Sequence, residues 1–267
     1  NRAQWARRFL DDERPLLELL SASLGEALRA QLGEVQREID EADNLAALLS
    51  SRVGGQIRLS TSVAFGRRIV TPLALKFMRE HPQVSVDLSF DDRYVNLVEQ
   101  GVDVALRMGR LADSSLGATW LGTNPWLAAA APAYLERRGT PRSPQELAEH
   151  DCLIYSSVQG DDRWSFTAPS GEERSVPVRG RLRSNNLSAV LAACRQGLGV
   201  AILPWYVAGE SVAEGRIEPL LAEHRLPAQE LHAVYPSPKL VPGKVRGFID
   251  FLKRELAGDW WRALPAG

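Results

Sequence analysis

Residues 54–88 read GGQIRLSTSVAFGRRIVTPLALKFMREHPQVSVDL, and this stretch decides the fold. Residues 57–60 have the composition of a short buried strand, and apolar side chains recur at helical spacing over 66–80. Residues 84–90 alternate between apolar and polar with period two, which is typical of a strand. A strand, a helix and a second strand in this order predict a right-handed βαβ unit with parallel strands.

The same alternation of strands and helices continues to the end of the chain. Further strands are predicted at 102–107, 126–131, 152–155, 200–203 and 231–235, further helices at 94–100, 187–196, 205–214 and 245–256, and an irregular connection at 108–124. The chain is therefore an α/β protein that builds one lobe, crosses to a second and crosses back. Two crossovers leave a cleft between the lobes, where ligands of such folds usually bind.

Upstream of Gly54, apolar residues follow a spacing that alternates between four and three. They are Leu28, Leu32, Val35, Ile39, Ala42, Ala46 and Leu49. This spacing is the heptad rule of a coiled-coil seam, and a long helix with one narrow apolar stripe needs a partner. We predict that residues 1–50 form a helical dimerisation region; packing of the stripe on the globular body of the same chain is the alternative.

Composition restricts the function. The chain has 32 basic and 33 acidic residues among 267, whereas a domain that neutralises many phosphates carries a basic excess. We therefore expect this chain not to bind DNA by itself. No stretch reaches the ~18 apolar residues that span a bilayer, and the charged start lacks a signal-peptide core, which predicts a cytoplasmic protein. Cys152 and Cys194 are predicted to be small buried thiols, with a redox pair as the alternative.

Catalytic and cofactor motifs are absent from the sequence. It contains no G-x-S-x-G elbow, no phosphate-binding P-loop and no H-E-x-x-H helix. The segment 197–199 lacks the third glycine of a dinucleotide site, and the four histidines have no metal-ligand spacing. We therefore predict a protein that is not an enzyme and that has no cofactor and no metal.

Three polar segments lie next to predicted strand ends. Thr61-Ser62 and Ser184-Asn185-Asn186 each lie between a strand and a helix, where they either cap the helix or help its free N–H groups to hold an anion. Asp91-Asp92 follows a strand and either caps the next helix or lies near the cleft. Arginines 179, 181 and 183 are predicted to form a solvated strand face.

Several segments together resemble the effector-binding domain of LysR-type transcriptional regulators. They are residues 54–88, GVDVALRMGRLADSSL (101–116), AAAAPAYLERRGTPRSPQELAEHDCLIY (128–155), WSF (164–166), RGRLRSNNLSAVLAACRQGLGVAILP (179–204) and GRIEPLL (215–221). The resemblance covers about residues 50–256, and the heptad segment is similar to the linker helix through which that family dimerises.

This resemblance implies a periplasmic-binding-protein-like pair of Rossmann-like subdomains with an N-terminal dimerisation helix. One subdomain would comprise 56–123 with 220–256, the other 124–219, and 257–267 would be a tail. It also implies a ligand-responsive transcription regulator that forms homodimers and homotetramers. Promoter DNA would be bound by a winged helix-turn-helix that is not evident in this chain. The alternative is a transport-type solute-binding protein of the same fold, which would have no use for the heptad helix.

The resemblance also places an effector between the subdomains. The positions that match the family's cleft are Ser62, Phe65, Asp91, Arg107, Ser184, Asn185 and Pro204. Ser62 and Asn185 would donate hydrogen bonds, and Arg107, at the first crossover, would pair with a carboxylate. Phe65 would supply an apolar wall. The effector would be a small carboxylate or an aromatic metabolite.

The heptad pattern generates the first prediction. Replacing Val35 and Ile39 together with lysine should convert the assembly to monomers, because unpaired charge buried in an apolar seam costs several kcal/mol. Sedimentation analysis checks this, and a double variant that sediments like the wild type would contradict the dimerising helix.

Overall fold

The computed structural model describes residues 31, 53–92, 97, 99–109, 111, 116–156, 163–238 and 241–262. The chain divides into two units, Asn1–Ser51 and Arg52–Gly267. The seven heptad residues lie outside the described residues, and so does most of the helix predicted at 94–100. The architecture below is that of the second unit.

Twelve strands are described in this unit. They are β1 (Gly55–Thr61), β2 (Val84–Phe90), β3 (Val104–Met108), β4 (Gly117–Asn124), β5 (Trp126–Ala130), β6 (Cys152–Tyr155), β7 (Arg163–Thr167), β8 (Glu173–Pro177), β9 (Arg183–Ser184), β10 (Val200–Pro204), β11 (Glu218–Leu220) and β12 (Gln229–Tyr235). The α-helices are α1 (Val63–Phe65), α2 (Thr71–Glu80), α3 (Pro132–Arg138), α4 (Leu187–Arg195), α5 (Trp205–Ala213) and α6 (Gly243–Glu255). A π-helical turn covers Gly66–Val70, and 3₁₀ turns cover Pro144–Glu149 and Trp260–Arg262.

Two five-stranded sheets form two lobes. The first sheet has the order β2-β1-β3-β12-β4 and the second the order β11-β5-β10-β6-β9, while β7 and β8 form a separate hairpin. In the first sheet β1 is parallel to β2 and β3, as predicted, and β12 is antiparallel to β3 and β4. In the second sheet β10 is parallel to β6 and antiparallel to β5. The predicted α/β class is confirmed.

The prediction of an irregular connection at 108–124 is wrong, because residues 117–124 form the edge strand β4. Its glycines resemble turn signals, but they are required by close packing. A side chain at Gly117 would overlap the Tyr235 ring, and a Cβ at Gly122 would lie 2.9 Å from the Leu256 carbonyl oxygen. An edge strand tolerates such residues better than a central one.

The single helix predicted over 66–80 is interrupted. The π-helical turn forms between α1 and α2, where the Thr71 N–H donates to the Gly66 carbonyl five residues earlier. Pro72 follows directly, and because its ring has no N–H and collides with the carbonyl four residues back, it widens the preceding turn. The Thr71 hydroxyl, 2.9 Å from the Gly66 carbonyl oxygen, gives that oxygen a second donor.

The return to the first lobe occurs later than predicted. The boundary was placed before residue 220, but Leu220 pairs with Ala128 of β5, and Arg225 still bridges to Thr167 of β7. Leu220 is buried in the core of the second lobe, and this apolar contact retains the segment there. The second crossover is therefore formed by residues 226–228.

The main hydrophobic core is continuous between the lobes. Phe65 of the first lobe packs edge-to-face on Tyr206 of α5, with ring centroids 5.3 Å apart. Trp260 lies 6.0 Å from Phe65 and stacks on Tyr206 at 6.4 Å. The start of the predicted C-terminal tail is therefore part of the core. Among the described residues, no helix is both long and apolar enough to cross a membrane.

Close backbone packing at Gly180 generates the second prediction. The Cys152 N–H donates to the Arg179 carbonyl at 2.8 Å, and a Cβ at Gly180 would overlap the Cys152 carbonyl oxygen. Gly180→Ala should lower the free energy of unfolding by at least about 2 kcal/mol, because the backbone has to move. Gly54→Ala is the matched control, since its Cβ would meet ordinary contacts at 3.5 Å. Equal urea midpoints for the two variants would contradict this reading.

Candidate ligand cleft

The topology makes two rows of strand ends face each other. In the first sheet the carboxyl ends of β1, β2, β3 and β4 are Thr61, Phe90, Met108 and Asn124; in the second, those of β6, β9 and β10 are Tyr155, Ser184 and Pro204. Pro125 and residues 226–228 join these same two edges. Carboxyl ends of parallel strands at such a junction are the usual ligand position in open α/β structures.

The rim of the first lobe is built from Ser62, Asp91 and Asp92. Ser62 precedes α1, but its hydroxyl makes no capping hydrogen bond. Asp92, which follows the neighbouring strand β2, caps α1 instead, because its Oδ1 accepts from the Val63 N–H at 3.0 Å. The Asp91 N–H donates to the Thr61 carbonyl at 2.9 Å and extends the β1–β2 pairing to the edge. Asp92 therefore caps the helix that follows β1 and also lies at the cleft.

The rim of the second lobe is built around Asn186. Its Oδ1 accepts from the N–H groups of Ser188 at 3.0 Å and Ala189 at 3.2 Å, so it caps α4. The Ser184 hydroxyl accepts from the Asn186 N–H at 3.0 Å. The Asn185 side chain is exposed, and Pro204 is buried at the start of α5. Of the two alternatives for this segment, helix capping is therefore provided by Asn186.

The prediction that Arg107 lies at the first crossover is wrong. This residue lies in β3, opposite His232 of β12 and one residue before the strand ends. Only 9% of the residue is exposed, and its Nη2 lies 3.5 Å from the Ser60 hydroxyl. A guanidinium keeps its charge when it is buried, so it favours an anion or several acceptors around it.

Phe65 is not a wall of the cleft. Its side chain is fully buried against Tyr206 and Trp260, so it is a core residue between the lobes. The residues brought to the facing edges are therefore Ser62, Asp91, Ser184, Asn185 and Pro204, with Arg107 one step inside the sheet.

Sequence reasoning missed the residues that join the crossovers. The Gln229 carboxamide oxygen accepts from Trp126 Nε1 at 3.0 Å and from Asn124 Nδ2 at 3.4 Å. The half-buried Trp126 and Tyr155 rings are 6.1 Å apart and form an aromatic surface at the edge of the second lobe. Their position at the ends of predicted strands was the available signal.

Burial suppresses the ionisation of both cysteines and of one tyrosine in the described core. Burial raises the pKa of Cys152 and of Cys194 to about 12, so both thiols stay protonated at neutral pH, as expected for structural cysteines. Burial also raises the pKa of Tyr206, with Tyr155 and Asp92 adding to the effect and Arg68 opposing it. Within the described ranges, no three His, Cys, Asp or Glu residues are grouped to hold a metal.

Two lobes with facing strand ends and two crossovers are the architecture of a ligand-binding module. Residues 50–257 match the LysR substrate binding domain, and the chain belongs to this family. It is 34% identical over 206 residues to the HTH-type transcriptional regulator CrgA of Neisseria meningitidis serogroup C, covering 77% of this chain and 68% of that protein. An uncharacterized HTH-type transcriptional regulator of Haemophilus influenzae is 32% identical over 79% of this chain and 73% of its own length.

Solved structures of LysR-type regulators have the same fold as this chain. The CrgA regulatory domain from Neisseria meningitidis superposes with a TM-score of 0.68 at 32% identity, covering 76% of this chain and all of that one. The full-length Vibrio cholerae virulence activator AphB gives 0.65 at 26% identity, over 81% of this chain and 75% of that one. Family membership, the predicted periplasmic-binding-protein-like α/β fold and a role in transcription regulation are confirmed, and a transport protein is not favoured. The matched relatives are regulators, and regulators of this family bind small-molecule effectors, oligomerise and bind DNA.

The capping geometry generates the third prediction. Asn186→Ala should lower the free energy of unfolding by about 1 kcal/mol, because two N–H groups of α4 lose their acceptor. Asn185→Ala is the matched control and should change it by less than about 0.5 kcal/mol, since the side chain is exposed. Urea denaturation of both variants checks this; a larger loss in the Asn185 variant would reverse the assignment of the cap.

Proposed function

We propose that this chain is the sensing part of a LysR-type regulator and binds a small organic carboxylate or aromatic metabolite in the cleft. The observation that carries the proposal is the buried Arg107, one residue from the carboxyl end of β3, at the edge that faces the second lobe. A buried guanidinium supplies the charge-assisted hydrogen bonds that a carboxylate needs.

Ser62 and Asn185 would act from opposite lobes. Each lies between a strand end and a helix, and neither side chain makes the helix-capping hydrogen bond, which Asp92 and Asn186 provide instead. A ligand that accepts hydrogen bonds from both lobes binds one interlobe arrangement better than another, and only such a difference in affinity shifts the equilibrium. Asp91, Ser184 and Pro204 would shape the rim, and the ring surface of Trp126 and Tyr155 would suit an aromatic group.

We further propose that the bound ligand controls the assembly of the regulator and its binding to DNA. Residues 1–50 would form the dimerisation helix, pairs of dimers would form tetramers, and a winged helix-turn-helix would bind promoter DNA in the cytoplasm. The chain would bind its effector without converting it, since its relatives are regulators and its described thiols are buried and protonated. Residues 56–124 with 229–256 would move as one subdomain and residues 126–225 as the other.

A thermal-shift panel of acetate, succinate, benzoate and salicylate tests the proposal. A bound ligand raises stability by RT ln(1 + [L]/Kd). Failure of every carboxylate and aromatic compound in a wider panel to stabilise the protein would refute it.

The cleft residues generate the fourth prediction. With the best stabiliser as ligand, Ser62→Ala and Asn185→Ala should each weaken binding by about 1–3 kcal/mol, because a lost donor leaves an acceptor unpaired. Arg107→Gln should weaken it at least as much, because a charged hydrogen bond is lost. Arg179→Gln is the control, since this arginine is exposed and its backbone bonds to the start of β6, away from the carboxyl ends of the strands. Titration calorimetry checks the set; wild-type affinity in all three cleft variants would place the ligand elsewhere.

A further inference from the structure

An ion-pair network lies where the two lobes meet beside the cleft. Glu210 of α5, in the second lobe, has its Oε2 3.8 Å from Nη1 of Arg68, which lies in the π-helical turn of the first lobe. The other oxygen, Oε1, is 3.8 Å from Nη2 of Arg216, in its own lobe. Arg216 also pairs with Glu214. We call Arg68, Glu210 and Arg216 the interlobe clasp.

The Glu210 carboxylate lies at the same distance, 3.8 Å, from an arginine of each lobe. Both of its arginine contacts are longer than a hydrogen bond, so neither arginine holds the carboxylate in a bidentate grip. The Nε of Arg216 is buried and, among the described residues, has no hydrogen-bond partner, so this guanidinium is incompletely satisfied in its present position. Each oxygen of the carboxylate therefore faces a different arginine, at a distance at which either contact is easily shortened or lost.

The clasp lies next to the only ring contacts described between the lobes. Phe65 is three residues before Arg68, and Tyr206 is one helical turn before Glu210. The rings bury apolar surface between the lobes, whereas the Arg68–Glu210 pair, whose side chains are 33% and 28% exposed, contributes only a small, salt-sensitive attraction.

We infer that Glu210 is a conformational switch that sets the angular freedom of the two lobes by pairing either with Arg68 across the junction or with Arg216 within its own lobe. Its use by a ligand rests on the proposed function; the clasp itself does not. Pairing with Arg68 restricts the lobes to one arrangement, and pairing with Arg216 releases them. The two arginines therefore have opposite effects on one equilibrium.

This opposition generates the fifth prediction. Arg68→Gln should broaden the distribution of interlobe distances, because only the intralobe pair remains. Arg216→Gln should narrow it, because Glu210 loses its competing partner. An exposed ion pair of this kind changes a two-state ratio by about two- to fivefold. Arg67→Gln is the matched control: it removes the same charge from the same turn at an exposed position and should leave the distribution unchanged.

Pulsed electron paramagnetic resonance on the full chain measures these distances without a ligand. Spin labels are placed at Arg79→Cys in α2 and Glu136→Cys in α3, both exposed and on different lobes. The native cysteines are buried with a pKa of about 12 and resist labelling. Raising the salt concentration from about 0.05 to 0.5 M should broaden the wild-type distribution and leave that of Arg68→Gln unchanged.

Two results would overturn the inference. Equal widths in wild type, Arg68→Gln and Arg216→Gln would show that the rings alone set the angle. A change in the same direction in both arginine variants would indicate packing damage and no competition. Because no ligand is present, either result leaves the proposed function untouched, and a failed ligand screen leaves the clasp untouched.

Discussion

Strand β12 is the element on which the two-lobed arrangement depends. It lies between β3 and β4 and is hydrogen-bonded to both, although more than a hundred residues separate it from either. The second lobe is therefore an insertion between β4 and β12, and both connections to it must leave from the same edge of the first sheet. The cleft follows from this pairing, because that edge also carries the carboxyl ends of β1 and β3.

The parts of the fold with local signals were predictable from sequence. Strands β6 and β10 are short apolar runs, β1 alternates the buried Ile57 and Leu59 with polar residues, and α2 and α6 have apolar residues at helical spacing, so each was found within a few residues. Strand β4 was missed because its glycines serve contacts with Tyr235 and with the Leu256 carbonyl, which lie far away in sequence. The late second crossover was missed for the same reason, since Leu220 is retained by a core that only the folded chain forms.

The residues of the candidate site were likewise predictable only where the signal was local in sequence. Polar residues at strand ends, such as Ser62 and Ser184, were predictable because a parallel sheet brings its carboxyl ends to one edge. The identity of the capping residue was not predictable from sequence, because Asn185 and Asn186 have the same side chain. Only the path of the backbone decides which of them accepts hydrogen bonds from the first turn of α4. Phe65 was misassigned to the cleft because sequence proximity to Ser62 does not reveal that the next turn points into the core.

The interlobe contact combines a strong force with a weak one. The rings of Phe65, Tyr206 and Trp260 are buried together, and separating them would expose a large apolar area at about 25 cal/mol per Å². This burial keeps the lobes in contact at this point. In the switch that we infer, the adjustable quantity is the angle about the ring cluster, with the Gln229–Trp126 hydrogen bond and the Glu210–Arg68 ion pair as its polar contacts. Contacts that each change the ratio of two lobe arrangements by only a small factor are suited to this role. An equilibrium near balance is the one that a weakly binding metabolite is able to shift.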